Sequence, residues 1–215
     1  MQMERRYYPF EVRVIDGQNG DPVISGTGIV YNQLSMVIWG MFREQIKPGA
    51  FSESITKRDV KTLWNHNSDY PLGRTGNGTM RVQDGEEGVS FENDPPDTSW
   101  GKDAVASIRR RDVTQMSFGF VTIEDDWSID NNNQLIRTIV KGELWEMSPV
   151  TFPAYPQTDV AVRSVEGRKG LIAALYNENP IIPDWVRAHL EGETGEDEGQ
   201  VRAHLDLLRR RLDLV

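Results

Sequence analysis

The feature that most constrains the fold is a succession of short segments in which apolar and polar residues alternate. Segment 10–16 alternates in this way and breaks at the Gly-, Asn- and Asp-containing turn 17–22, and a second segment follows at 24–31. A third apolar run lies at 37–42. Alternation with a period of two is typical of β-strands. A succession of strands joined by short turns predicts a sandwich or a barrel rather than alternating α/β units.

The next hundred residues continue this pattern and add two short helices. The first helix follows the loop 46–51 with Ser52 as its N-cap, and the second begins at Thr98 or Ser99. The polar stretch 125–134 is predicted to be a turn. Further strands are predicted at 60–67, 79–84, 88–92, from 116 to 123, 135–140 and 143–154.

The composition changes beyond about residue 158. Residues 161–176 are helix-prone, 191–198 form an acidic, Gly-containing stretch that predicts an unpacked linker, and 201–214 carry an apolar stripe at helical spacing. We therefore predict a folded domain at 1–163 and a C-terminal tail at 164–215, made of an acidic linker and an amphipathic helix. The stripe consists of Val201, Leu205, Leu208 and Leu212.

Charge and cysteine content narrow the functional classes. The chain has 24 basic and 33 acidic residues, a formal net charge of -9, which argues against a nucleic-acid groove or an anionic membrane surface as the main partner. The absence of cysteine excludes disulfides, thiolate nucleophiles and cysteine-based zinc sites. No apolar run approaches the ~20 residues of a membrane span. These features predict a soluble, cytoplasmic protein.

A lone serine, Ser117, lies inside the apolar segment MSFGF (116–120), which has the pattern of a beginning strand. Its hydroxyl could simply be satisfied by backbone groups. It could also be a nucleophile, and Gly119 would then let a substrate backbone approach closely. Because the segment alone is compatible with both interpretations, the residues that could activate a serine decide between them.

His66 is the candidate base among the histidines. It ends an apolar segment that is expected to pack near Ser117, and an imidazole suits proton transfer near neutral pH. The alternative is a hydrogen-bonded structural histidine. Metal binding is disfavoured because no second histidine or cysteine lies nearby. His189 and His204 belong to the predicted tail and are expected to be solvated.

Glu143 and Glu146 are the candidates for a third group that fixes the tautomer of the histidine. Lying three positions apart on one predicted strand, they should point to opposite faces, so only one can orient His66. Glu146 lies between Trp145 and Met147 in the more apolar half of the segment, and an acid buried there needs a partner. We therefore predict Glu146 as the orienting acid and Glu143 as solvent-facing.

Four ordered motifs resemble those of the tailed-bacteriophage prohead proteases: LWNHN (63–67), PLGRT (71–75), MSFGF (116–120) and LWEMSPVTFPA (144–154). The segment 46–51 also resembles the one before that family's first helix, and the resemblance covers about residues 10–163. It implies a β-rich α+β fold related to herpesvirus assemblins, a small closed β-barrel flanked by helices, here with a helical C-terminal tail. It further implies a serine endopeptidase with catalytic residues His66, Ser117 and Glu146. Assemblins themselves use a second histidine where this chain offers Glu146.

The resemblance also implies a role in virion assembly. Such a protease acts inside the procapsid, in the host cell cytoplasm, on the scaffolding portion of the major capsid protein and on itself. A homo-oligomer, contact of the C-terminal helix with scaffold or portal protein, and no cofactor or metal are expected. The alternative is a non-catalytic capsid-interior or scaffold-binding module on the same fold. An α/β-hydrolase esterase is disfavoured, because Gln115 stands where its nucleophile motif needs a small residue.

Overall fold

The computed structural model describes residues 3–152 apart from 18 and 39, and then 172–173, 175–176 and 182–196, with side chains except at 8–10 and 192–196. The named helices of this part are α1 (Ser52–Lys57), α2 (Ser99–Arg109) and α3 (Asp184–Glu196). Its strands are β1 (Glu4–Asp16), β2 (Pro22–Val30), β3 (Phe42–Ile46), β4 (Lys61–Trp64), β5 (Asn67–Arg74), β6 (Met80–Asp84), β7 (Gly88–Asn93), β8 (Gln115–Ile129) and β9 (Leu135–Val150).

The nine strands of the described part form one sheet that nearly closes into a barrel. Its order is β5-β4-β9-β8-β1-β2-β7-β6, and β3 pairs with β9. The two ends, β5 and β6, are consecutive in the chain and are joined by the 3₁₀ turn Thr75–Asn77. Asn93 Nδ2 bridges the gap by donating to the Leu72 carbonyl at 3.0 Å. The predicted β-barrel with flanking helices is therefore confirmed, with a sheet that is nearly closed.

The barrel interior is filled by the inward faces of the strands together with α1 and α2. Phe118 and Phe120 of β8 point inward and contact Phe51, with ring centroids 6.2 and 5.6 Å apart. Burying each such side chain contributes about 1.5–3 kcal/mol. Because side chains alternate along a strand, Ser117 and Gly119 point to the other face of β8. The core also includes Ile24, Ile29, Ile46, Val60, Leu72, Phe91, Ala104, Ile108, Ile139, Leu144 and Met147.

A buried ion network lies between β1, β3, β8 and β9. Arg137 Nη1 donates to Glu4 Oε2 at 2.7 Å and to Glu44 Oε2 at 3.0 Å, while its Nε donates to Asp125 Oδ2 at 2.7 Å. Arg6 joins the same acids, with Nη2 at 2.6 Å from Glu4 Oε2 and Nε at 2.9 Å from Glu44 Oε1. The side chain of Arg137 is fully buried. Because every charge in it has an opposite partner, the network can exist inside the fold.

Several predicted boundaries differ from the structure. The stretch 125–134 is strand as far as Ile129, so β8 and β9 form one long hairpin with its turn at 130–134. Asp125 suggested a turn by its polarity, but its carboxylate is neutralised by Arg137. The third strand begins at Phe42 instead of ending there. The N-cap of α1 is Phe51, and Ser52 is the first helical residue. Thr98 caps α2 as predicted, accepting from Gly101 N at 3.3 Å.

The predicted linker at 191–198 is helical as far as Glu196, so that prediction is wrong for most of its length. Helix α3 is anchored by Val186 and Leu190, which pack in a second apolar cluster against Phe42, Trp127 and Leu135. This packing offsets the low helix propensity of the glycines in the last turns. The predicted domain boundary at 163 and the helix at 201–214 lie outside the described residues. No helix in the described ranges has the length and apolar character needed to cross a membrane.

Candidate active site

His66 lies in the two-residue turn that joins β4 to β5. Trp64 and Asn67 are paired across this antiparallel hairpin, which leaves Asn65 and His66 as the central residues of the turn. Both have positive φ angles, 53° and 60°, as a type I′ turn requires. A histidine held in this left-handed region carries strain of about 1–2 kcal/mol. The segment 60–67, predicted as one strand, therefore turns back at the histidine itself.

Asn65 fixes this turn against the end of β9. Its backbone N donates to the Pro149 carbonyl at 3.1 Å, and its side-chain Oδ1 accepts from Thr151 N at 2.7 Å. Asparagine tolerates the left-handed conformation better than most residues. Its two bonds place the neighbouring His66 over the strand that carries Glu146.

A β-bulge at Trp145 sets the direction of Glu146. Gly119 of β8 lies opposite Glu146 and Phe120 lies opposite Leu144, so Trp145 is an extra residue on β9. Bulges of this kind re-aim side chains next to functional sites. Leu144 consequently enters the core, while Glu146 shares the face of Gly119. A Cβ on Gly119 would come within 2.8 Å of Glu146 Cγ, so the glycine makes room for the acid.

His66 and Glu146 are in direct contact. His66 Nδ1 lies 2.8 Å from Glu146 Oε1, and the two side chains are 9% and 4% exposed. Burial raises the pKa of the Glu146 carboxyl, but the hydrogen bond and charge of His66, the Ser148 hydroxyl and Arg5 together hold that pKa below its ordinary value. Glu146 is therefore a carboxylate at neutral pH and can only accept hydrogen bonds. The carboxylate therefore requires a proton on Nδ1, and in the neutral imidazole this tautomer makes Nε2 the acceptor.

The second ring nitrogen of His66 is buried without a partner. Nε2 makes no hydrogen bond within the described part of the chain. A buried polar atom that lacks a partner costs free energy and calls for an explanation. Nε2 is the ring nitrogen that would take a proton if His66 acted as a general base.

Ser117 lies on the same face as Glu146, one cross-strand pair away. It is paired with Ser148 of β9 and with Tyr7 of β1, and directly paired residues have Cβ atoms about 4.5–5.5 Å apart. Its hydroxyl donates to the Arg6 carbonyl at 3.0 Å, and the residue is fully buried. The structure therefore joins His66 to Glu146 and places Ser117 one cross-strand pair from Glu146. Within the described residues Ser117 is not hydrogen-bonded to His66.

The closed surroundings of Ser117 have a consequence for access. A hydroxyl with no exposed surface reaches a peptide carbonyl only after residues around it move. Transfer of the Ser117 proton to His66 Nε2 would also require the hydroxyl to give up its bond to the Arg6 carbonyl.

Glu143 is placed differently from Glu146. It accepts from Arg58 Nη1 at 2.8 Å and is 39% exposed, so it is solvent-facing as predicted. The reason given for that prediction is wrong, however. Glu143 pairs with Val121, two positions from Gly119, so the bulge brings both acids to one face of β9. The two acids differ instead in their surroundings: Glu146 is buried and contacts His66, whereas Glu143 is partly exposed and contacts Arg58.

Ser148 is a residue of the site that sequence analysis did not single out. Its Oγ donates to Glu146 Oε2 at 2.9 Å and accepts from Leu63 N at 3.2 Å. The available signal was its spacing, since a hydroxyl two positions after an acid lies on the same face of a strand. No group of three or more His, Asp or Glu side chains in the described ranges is arranged to hold a metal ion.

A serine beside a buried histidine–carboxylate pair, carried on a small β-barrel, is the side-chain set that serine hydrolases use. A family model described as caudovirus prohead serine protease matches residues 8–170. The chain belongs to this family. It is also similar in structure to the bacteriophage T4 capsid assembly protease, gp21, with a TM-score of 0.45, 12% identity, and coverage of 69% of this chain and 97% of that one. No curated protein sequence matches it significantly.

Proposed function

We propose that this chain is a serine endopeptidase in which Ser117 is the nucleophile, His66 the general base and Glu146 the acid that orients the histidine. The observation that carries the proposal is the buried contact of 2.8 Å between His66 Nδ1 and Glu146 Oε1, next to Ser117 and with Nε2 available. A serine hydroxyl needs such a base to become an effective nucleophile. Membership of the prohead serine protease family supports the same reaction class.

In the proposed reaction Ser117 Oγ attacks the carbonyl carbon of the scissile peptide bond while its proton passes to His66 Nε2. The imidazolium is stabilised by the Glu146 carboxylate, which remains ionised throughout. His66 then returns the proton to the leaving amine, and the peptide bond breaks to give an acyl-enzyme on Ser117. A water molecule, deprotonated by His66, hydrolyses this ester and restores the serine.

The proposed substrates are the scaffolding portion of the major capsid protein and the protease itself, cleaved inside the procapsid in the host cytoplasm. Membership of a prohead protease family is the basis for this assignment. The rival is a non-catalytic capsid-interior module. Its specific support is the full burial of Ser117 and the hydrogen bond to Arg6, which suit a structural serine equally well.

Co-expression with the capsid protein, read by intact mass, tests the proposal. The wild-type chain should shorten the capsid protein, whereas Ser117→Ala and His66→Ala should leave it intact, because losing either residue costs several orders of magnitude in rate. Ser35→Ala is the control, since this half-buried serine bonds backbone groups far from His66 in sequence and off the strands that carry the site. Processing by Ser117→Ala at the wild-type rate would contradict the role of Ser117, and capsid protein left intact by the wild-type chain would favour the rival.

We further propose that the active chain shortens its own C-terminal part between about residues 165 and 200. A protease cuts extended backbone, so the cleavage sites should fall outside the helix Asp184–Glu196. Intact mass of purified wild type should show a core that has lost the tail, while Ser117→Ala keeps all 215 residues. Deleting 199–215 should reduce incorporation into procapsids more than it reduces cleavage of a free peptide. Equal tail loss in wild type and Ser117→Ala would rule out self-cleavage.

A further inference from the structure

Ser148 lies at the junction between Glu146 and the strand that leads to His66, and it is fully buried. We propose that Ser148 is a positioning residue, whose hydroxyl holds the Glu146 carboxylate and the β4 backbone in the one arrangement that lets Glu146 contact His66. The role rests on the proposed protease function. Ser148 itself touches neither Ser117 Oγ nor His66 through any hydrogen bond of the described part.

The hydrogen bonds of Ser148 allow only one assignment of donors and acceptors. The Leu63 N–H can only donate, so Ser148 Oγ accepts that bond at 3.2 Å. The single hydroxyl proton is then given to Glu146 Oε2 at 2.9 Å. Glu146 Oε1 is left for His66 Nδ1. Oε1 also accepts from Arg5 Nε at 3.4 Å. The carboxylate is thus held at both oxygens, which keeps it from rotating away from the imidazole.

Ser148 also bonds the β4 backbone where β4 runs beside β9. The two strands are in register at Lys61 and Glu146, and Asn65 N donates to the Pro149 carbonyl further along. Between these points the Leu63 N–H donates to the Ser148 side chain. Leu63 lies three residues before His66. One hydroxyl therefore fixes the acid and the strand that delivers the base.

Ser54 provides a matched control for a purely structural role. It is a buried serine of α1 whose Oγ accepts from Leu144 N at 2.8 Å, also on β9. Ser148→Ala and Ser54→Ala each leave one buried backbone N–H without its acceptor, so both should lower the thermal unfolding midpoint by similar amounts. Of these two serines, only Ser148 bonds Glu146.

The kinetic test compares these variants on a capsid-derived peptide. Ser148→Ala should lower kcat about 10–100-fold with KM nearly unchanged, as removal of supporting hydrogen bonds does in other sites, and Ser54→Ala should leave kcat as in wild type. In a Glu146→Gln background, adding Ser148→Ala should lower kcat little further, because the effects of residues that act through one another are not additive. If Ser148→Ala lowers kcat by the same factor in the wild-type and Glu146→Gln backgrounds, the proposal is overturned.

A second readout does not depend on activity. In the Ser117→Ala background, which prevents self-cleavage, the titration of Glu146 can be followed by carboxyl carbon NMR. Ser148→Ala should raise the pKa of Glu146, because a donor that stabilises the carboxylate is lost, and Ser54→Ala should not. An unshifted pKa overturns the role of Ser148. Absence of Ser117-dependent proteolysis overturns the proposed function instead, so the two failures are distinguishable.

Discussion

A histidine with a left-handed backbone is uncommon, and in this chain it is the residue that contacts a buried carboxylate. Sequence analysis identified His66 from its apolar surroundings but extended the strand through it. The pair Asn65 and His66 between two strands was a signal for a two-residue turn, since asparagine is favoured where φ is positive. The position suits glycine better than histidine, so strain is maintained there for the contact with Glu146.

Replacing His66 should separate strain from chemistry. His66→Gly and His66→Ala should both abolish proteolysis, but the glycine variant should be more stable than the alanine variant by on the order of 1 kcal/mol, because φ is positive. Chemical denaturation measures the difference. Asp69 in β5, whose φ is not positive, is the control, and there alanine should be the more stable. If the glycine and alanine variants had the same order of stability at positions 66 and 69, this would contradict the strain assigned to His66.

The two acids of β9 should behave differently. Glu146→Gln should lower kcat/KM on the order of 10⁴-fold, because an amide cannot hold the required tautomer or stabilise the imidazolium. Glu143→Gln should change it by less than about tenfold, since Glu143 pairs with a partly exposed Arg58. Steady-state kinetics on a peptide substrate decides the assignment. A larger effect at Glu143 would reverse it.

At the scale of elements, the bulge at Trp145 decides which side chains of β9 reach the site. Counting residues could not reveal it, because alternation assumes an unbroken strand. The sequence predicted strands well where apolar residues alternate, as at 79–84 and 88–92. It failed where charged residues are buried, because the partner that neutralises Asp125 is distant in the chain. It also failed at α3, whose apolar anchor contacts residues about 50 to 145 positions away.

The close approach of β8 to β9 gives a test at this scale. Gly119→Ala should lower kcat about 10²-fold while the barrel stays folded, because the new Cβ would lie 2.8 Å from Glu146 Cγ and 2.9 Å from its Oε1 and must displace the carboxylate. Gly85→Ala is the control, since its nearest contact would be an ordinary 3.4 Å. Unchanged kcat in Gly119→Ala would show that the carboxylate tolerates the displacement.

At the scale of the molecule, the ion network connects the beginning of the chain to its last barrel strand. Glu4 and Arg137 are 133 positions apart. The first strand was predicted to begin at residue 10, whereas β1 begins at Glu4. The pairing of charges that permits burial of Glu4 and Arg6 depends on the folded topology, so the network is a further part of the fold that sequence alone could not predict.

Removing one arginine tests how much stability the network contributes. Arg137→Met should lower the free energy of unfolding by about 3–5 kcal/mol, because Glu4 and Glu44 are then left with Arg6 and Asp125 loses its ion pair with Arg137. Arg81→Met is the control. Arg81 binds Asp94 through two bonds but is 47% exposed, so its loss should cost about 0–1 kcal/mol. If the two variants lost equal amounts of unfolding free energy, measured by denaturant unfolding, burial would have no special role in the contribution of Arg137.

The same variant should change the response to acid. Burial raises the pKa of Glu4, but Arg137 and Arg6 lower it to about 2 from an ordinary 4.5. Its contribution to stability is therefore complete above pH 4.5 and is lost as the pH falls toward 2. Arg137→Met removes the main cause of this lowering. The stability difference between wild type and variant should thus narrow across this window, and a constant difference would show that Glu4 does not respond to Arg137.

Glu146 and Arg137 both belong to β9, the last strand of the barrel to leave the ribosome. A nascent chain that ends after β8 already contains Ser117 and His66. It lacks the carboxylate that holds the imidazole, the guanidinium that neutralises Glu4, and the strand with which β3, β4 and β8 all pair. Because these losses coincide, unfinished polypeptides have no assembled site. The proposed activity therefore depends on complete synthesis of β9.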